Sequence, residues 1–145
     1  MKIEITVKRQ TMPNADSRLQ TFFYNGDGNL TIADWLSEIN QNEVKTDRIA
    51  WECGCMEKKC GACAMRINGI PRLACSTFLK DVAKRGKILL EPLSKFPLVK
   101  DLVVDRSSMF EMLRNMKVWT QEKRQSTYGQ DHDLQYKAGQ CLRCG

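Results

Sequence analysis

Apolar and polar residues alternate along the first eight positions of the chain. Ile3, Ile5 and Val7 face one way and Lys2, Glu4, Thr6 and Lys8 the other, which predicts a half-buried strand over residues 2–8. "TMPNADSR" at 11–18 is turn chemistry, and "LQTFFYN" at 19–25 suits a second strand, since aromatics and Thr fit a pleated surface. The two read as a hairpin, which "NGDGN" at 25–29 ends. The period then changes. Ile32, Trp35, Leu36 and Ile39 recur at helical spacing, predicting a helix over about 32–41 with one buried face. Thr31 caps it, with Asp34 at the third position of a capping box, and Leu30 is placed to staple onto Trp35.

Further on, "AMRING" at 64–69 and "RLACS" at 72–76 read as extended pieces joined by a turn at Asn68–Gly69. "KILLEPL" at 87–93 reads as a buried strand. Two strands, a helix, an irregular stretch and more strands imply an α+β class. A mixed sheet folded over one helix fits that order, and the β-grasp is one such arrangement. After "FPLVKDLVVDRSS" the composition changes. Ser108 and Glu111 form a capping box, and Met109, Met112, Leu113, Met116 and Trp119 make a helical stripe fit for a core or an interface. From about residue 120 the chain is polar with little periodicity. It is expected to be loop, with too little apolar area to hold it in place. There are no internal repeats.

Composition changes the picture in one respect. Hydrophobic residues make up 42% and charged residues 28%, which places the chain among ordinary globular proteins. No stretch is long or apolar enough to span a bilayer, and "MKIEITVKRQ" is not the apolar core of a secretory signal. The seven cysteines therefore read against a reducing cytoplasmic background, where clusters of them are metal ligands or redox groups rather than disulfides. The formal charge of +6 is scattered through mixtures such as "NEVKTDR" and is not interleaved with aromatics, so no nucleic acid is expected as a partner.

"CGCMEKKCGAC", residues 53–63, places four cysteines in eleven residues. Cys55-x4-Cys60-x2-Cys63, closed by Cys75 after eleven more residues, has the plant-type spacing of a [2Fe–2S] cluster. Each of two irons needs two thiolates, so one loop wraps one end of the cluster and a more distant segment completes it. Gly61 and Ala62 are small enough to let backbone N–H groups approach the sulfurs. Choosing Cys53 in place of Cys55 lengthens the first spacing to x6, so Cys53 is expected to stand aside. Cluster binding would bring the net charge to about +4, since four thiolates, two ferric ions and two sulfides carry −2. Zinc is the competing metal. Its structural sites favour C-x2-C pairs at both ends, and more than half the chain separates Cys60/Cys63 from Cys141/Cys144. A Rieske centre needs two histidines, and His132 is the only one.

"CGCMEKKCGACAMRINGIPRLACS", followed by "EPLSKFPLVKDLVVDRS", resembles the iron–sulfur subunit of succinate dehydrogenases and fumarate reductases over roughly residues 1–120. The resemblance implies a β-grasp [2Fe–2S] ferredoxin domain over 1–105, with ligands at Cys55, Cys60, Cys63 and Cys75. It implies that 106–145, a helix and polar tail, form a C-terminal helical extension, the truncated start of a helical second domain. In the family that second domain carries [4Fe–4S] and [3Fe–4S] clusters, expected only in a full-length chain. "CLRCG" resembles the opening of its first cysteine motif, with Cys141 and Cys144 as an incomplete ligand pair. The implied work is single-electron relay between the FAD of a flavoprotein subunit and quinone. A membrane anchor subunit would hold the assembly at the cytoplasmic membrane. No residue of this chain is expected to do acid–base chemistry on a substrate. The rival readings are a zinc-stabilised interaction module and a subunit of a thiol-linked fumarate reductase.

Overall fold

The alternation at the N-terminus continues past Val7 to a further buried position, Arg9, and that residue decides how the molecule is pinned together. A computed structural model describes residues 1–42, 47–117, 132–139 and 141. Strand β1 spans Lys2–Arg9, with Ile3, Ile5, Val7 and Arg9 all buried on one face. Strand β2, Arg18–Asn25, pairs antiparallel with it from Lys2↔Asn25 to Arg9↔Arg18, confirming the hairpin.

Helix α1 covers Ile32–Asn42. Its capping box is closed in both directions: Asp34 N–H donates to Thr31 Oγ1 at 3.1 Å, and Thr31 N–H donates to Asp34 Oδ2 at 3.2 Å. Ile32, Trp35 and Leu36 are buried in the same core as Ile3, Ile5 and Val7, with Leu30 and Ile39 packed at its margin. The Trp35 ring meets Phe22 edge-on at 5.6 Å, which places α1 over the β1–β2 hairpin. Each fully buried aliphatic side chain of this kind contributes about 1.5–3 kcal/mol.

Strands β3 (Ala64–Ile67) and β4 (Ile70–Leu73) form a second hairpin. Its turn residues Asn68 and Gly69 both have positive φ, 52° and 81°, the conformation a two-residue hairpin requires. Strand β5, Lys87–Glu91, buries Ile88 and Leu90. It runs parallel to β1 and antiparallel to β3, giving one mixed sheet in the order β2-β1-β5-β3-β4.

Several elements differ from the pattern-based expectation. The piece 72–76 is not all extended: β4 ends at Leu73, and Ala74–Ser76 is a 3-10 turn carrying Cys75. Ala74 is fully buried there, and Thr77 Oγ1 donates back to the Leu73 carbonyl at 2.8 Å, which favours the tight turn over continued strand. A short helix α2, Leu79–Val82, and a small hairpin of β6 (Leu98–Lys100) and β7 (Val103–Val104) are additional elements. Helix α3, Ser107–Asn115, begins one residue before the expected cap. Asp105, not Ser108, serves its N-terminus: its carboxylate accepts the Ser107 hydroxyl and the Ser107 N–H, the latter at 2.8 Å, and these two bonds, the hydroxyl first, hold the Asp105 carboxyl below the usual range. The stripe on α3 is not core. Met112, Leu113 and Met116 are exposed and Met109 is half-buried, which leaves the interface reading open; the neighbouring Phe110 is exposed too, and Trp119 lies outside the described residues. Within the stretch expected to be loop, His132–Ala138 forms helix α4. Its apolar residues Leu134 and Tyr136 are exposed, so no buried stripe announces it. Most of the polar tail lies outside the described residues. Among the described residues no helix is long and apolar enough to cross a membrane.

Candidate iron–sulfur centre

The cysteine loop leaves the core at Trp51 and returns to it at Cys63, and each end is fixed by a different device. At the entrance, buried Asp101 accepts the Ala50 N–H on Oδ2 and the Gln10 N–H on Oδ1, both at 2.9 Å. Arg9 Nε stands 3.1 Å from the same carboxylate, off the line of a hydrogen bond, so this contact is charge to charge. The Arg9 Nη2 donates to the carbonyls of Asp47 and Arg48 at 3.1 Å each. One carboxylate thus ties the end of β1, the segment entering the loop and the β6–β7 hairpin. At the far end, Cys63 is buried and Ala64 begins β3.

Inside the loop, Met56 and Lys58 adopt left-handed φ values of 55° and 60°. That conformation costs a side-chain-bearing residue about 1–2 kcal/mol. Its effect is to curl successive N–H groups around one point, an anion-binding nest. The point is Cys55 Sγ, which accepts the N–H groups of Glu57, Lys59 and Cys60 at 3.3 Å each. Those donors, Cys60 first, lower the Cys55 thiol to about 7, so much of it is thiolate near neutral pH. Cys60 Sγ in turn accepts the N–H of Cys55 and of Ala62, both at 3.4 Å.

The second pair is arranged differently. Cys75 N–H donates to Cys63 Sγ at 3.5 Å, and Ala74 N–H donates to the Cys63 carbonyl at 3.1 Å. Burial pushes the Cys63 thiol up to about 11. The 3-10 turn holding Cys75 is braced against the start of α1, where Ile32 N–H donates to Thr77 O at 2.9 Å and Leu79 N–H to Leu30 O at 3.0 Å.

The structure therefore links Cys55 with Cys60 and Cys63 with Cys75. Cys53 is exposed, and among the described residues its sulfur accepts no N–H bond. Cys141 is exposed on the far side of α4 in the sequence, and Cys144 lies outside the described residues. Among the described residues no three cysteines converge as they would around a single metal ion; the structure offers two pairs, one for each iron of a two-iron group. The donor set is soft thiolate. The amides aim at sulfur, and a Cβ on Gly54 would stand 3.2 Å from Cys60 Sγ, closer than a side chain comfortably sits. Gly61, between Cys60 and Cys63, holds a left-handed φ of 73°. Sequence reasoning missed Arg9, Asp101 and Arg106 as supports of the site. The one available signal was that Arg9 continues the buried phase of Ile3, Ile5 and Val7.

Residues 3–111 match the family described as a 2Fe-2S iron-sulfur cluster binding domain. The chain is 42% identical over 96 residues to the succinate dehydrogenase iron–sulfur subunit of Bacillus subtilis, covering 63% of this chain and 37% of that relative. It is 34% identical over 119 residues to the fumarate reductase iron–sulfur subunit of Escherichia coli O6:H1, covering 81% and 46%. Among solved structures it is similar to a chain of the Mycobacterium smegmatis Sdh1 complex in the apo form. That likeness has a TM-score of 0.71 at 27% identity and covers 99% of this chain and 60% of the other. The chain spans less than half the length of both curated relatives.

Proposed function

Because the chain belongs to the 2Fe-2S iron-sulfur cluster binding domain family, we propose that Cys55, Cys60, Cys63 and Cys75 hold its [2Fe–2S] cluster within a succinate dehydrogenase or fumarate reductase. The observation that carries the ligand set is the pairing of sulfurs and amides. Cys55 with Cys60, and Cys63 with Cys75, are each joined by N–H···S bonds, while Cys53 stands outside both pairs. When bound, the cluster supplies a one-electron couple between the flavin of a flavoprotein subunit and quinone. The protein's own residues do the remaining work. The Met56–Lys58 nest and the Ala62 amide direct N–H dipoles at the sulfurs of Cys55 and Cys60, which favours added negative charge. Buried Cys63 and the apolar core behind it keep water from that side.

The sheet order, with β1 and β5 parallel at its centre and α1 across one face, supports a β-grasp assignment for residues 1–105. Residues 106–145 are then an extension, with Cys141 and Cys144 the first ligands of a second cluster centre. The relatives' names, each a subunit, support partner subunits for this chain; a flavoprotein and a membrane anchor that holds it at the cytoplasmic membrane belong to the same proposal.

The test is iron, zinc and acid-labile sulfide analysis of the purified chain, with an EPR spectrum after reduction. The expected result is equal iron and sulfide, visible absorption and a signal from the reduced state. A colourless chain with stoichiometric zinc and no sulfide would support an interaction module instead.

A further inference from the structure

We infer that Arg106 is a positioning residue for the cluster, aligning one peptide toward a ligand sulfur and raising the reduction potential through its charge. The inference rests on the cluster assignment above. Arg106 is the residue before α3, yet its guanidinium reaches back across the molecule. Nη1 donates to the Gly61 carbonyl at 2.8 Å, and Nη2 to the carbonyls of Ala62 and Ala64 at 3.4 and 3.5 Å. Its plane also lies over the Phe96 ring, 6.0 Å from the centroid, which fixes the side chain from a second direction.

The Gly61 carbonyl and the Ala62 N–H belong to one peptide unit. In a trans peptide the two groups point in opposite directions along a rigid plane. Arg106 holds the oxygen at one end, and the N–H at the other end donates to Cys60 Sγ at 3.4 Å. A cation on the carbonyl polarises the unit and strengthens its N–H as a donor. The Gly61 carbonyl also accepts the Ala64 N–H at 3.2 Å, so Arg106 is its second donor, and Gly61, at a left-handed φ of 73°, has no side chain of its own to fix the peptide that follows. Arginine suits the task because its fork reaches several carbonyls at once, which a lysine cannot reproduce.

The charge itself is the second element. Among the described residues no carboxylate lies within ion-pair distance of Arg106, and its buried Nε has no hydrogen-bond partner. The guanidinium is therefore not neutralised locally. A positive charge beside a group that gains an electron favours the reduced form.

The experiment compares midpoint potential, iron and sulfide content and cluster lifetime under a chelator for the wild-type chain, Arg106→Gln and Arg106→Lys. Arg106→Gln is expected to disfavour the reduced state about threefold to tenfold, a fall of roughly 28 to 59 mV for a one-electron couple. Arg106→Lys keeps the charge and loses the fork, so its potential moves less than half as far while its cluster lifetime shortens at least twofold. An Arg106→Gln variant with full iron and sulfide and an unchanged potential overturns the inference. Should Arg106→Gln hold no cluster, Arg106→Lys decides: an unchanged cluster lifetime overturns the inference and a shortened one supports it. A wild-type chain lacking iron and sulfide overturns the cluster assignment itself, and the inference with it.

Discussion

Replacing Asp101 by alanine removes the carboxylate that holds three segments together. Asp101 is 2% exposed, accepts two backbone N–H groups at 2.9 Å and faces Arg9 Nε at 3.1 Å. Breaking a buried ion pair from one side costs about 3–5 kcal/mol, because the remaining charge is stranded. Arg9 keeps the carbonyls of Asp47 and Arg48 and the side chain of Gln20, which argues for the lower end. The stranded N–H groups of Gln10 and Ala50 argue upward, since a buried unsatisfied donor costs about 1–3 kcal/mol. The net expectation for Asp101→Ala is about 4 kcal/mol of lost stability. At about 4 °C per kcal/mol for a domain of this size, the midpoint falls by roughly 16 °C. Urea unfolding followed by far-ultraviolet circular dichroism and by visible absorbance measures it. The control is Arg9→Met with Asp101→Leu, which removes both charges and is expected to recover much of the loss. A single variant that loses less than about 1 kcal/mol, or a double variant no better than the single, would refute the reasoning.

Cys53→Ser is expected to leave the visible and EPR spectra nearly unchanged and Cys55→Ser to shift them or lose the cluster; the reverse outcome would falsify the ligand set. Thr31→Ala, which removes the hydroxyl that accepts the Asp34 N–H while keeping the Thr31 N–H bond to Asp34, is expected to cost about 0.5–2 kcal/mol in the same unfolding assay. The Asp105 carboxyl is held low by Ser107, so its contribution is present above the ordinary 3.8 and fades as pH falls through the lower folded value. An NMR titration that placed it above 3.8 would contradict this. The exposed Phe110, Met112 and Met116 predict concentration-dependent self-association of the chain. Sedimentation should show this association, and Phe110→Glu should abolish it.

The parts of the fold legible in the sequence are those whose period repeats within one element. Ile3, Ile5 and Val7 gave β1, Ile32, Trp35 and Leu36 gave α1, and Asn68–Gly69 gave a turn with both φ values positive. The β6–β7 hairpin and α2 run too short to complete a pattern, and the turn under Cys75 depends on Ala74 being buried by α1 and not on its neighbours in the chain. Cysteine spacing pointed to a cluster-binding domain, which the family match bears out, because ligand geometry constrains a local loop. The supports were not: Arg106 lies some forty residues from the carbonyls it holds, and Asp101 fifty-one from Ala50. The α3 stripe left core and interface open for a related reason, since periodicity reports an apolar face but not whether anything covers it, and the structure removes only the core reading.

The interior position of β1, between β2 and β5, has a consequence for how the protein is made. Strand β1, made before its partners, can pair at once with β2, but its other edge waits for β5, which closes the sheet through Ile5↔Ile88 and Val7↔Leu90. The cysteine loop lies between those partners. At about 5–20 residues per second, the twenty-eight residues from Cys63 to Glu91 take roughly 1.5 to 6 s to synthesise. During that interval Cys53, Cys55, Cys60 and Cys63 are already made but the sheet behind them is not. Iron delivered then meets an unshaped set of five candidate thiols once Cys75 follows, with nothing to disqualify Cys53. Iron delivered later meets a loop already curled around two of them. On the proposed ligand set, the choice of four sulfurs among five is in this sense a matter of timing, and the late strand β5 keeps the clock.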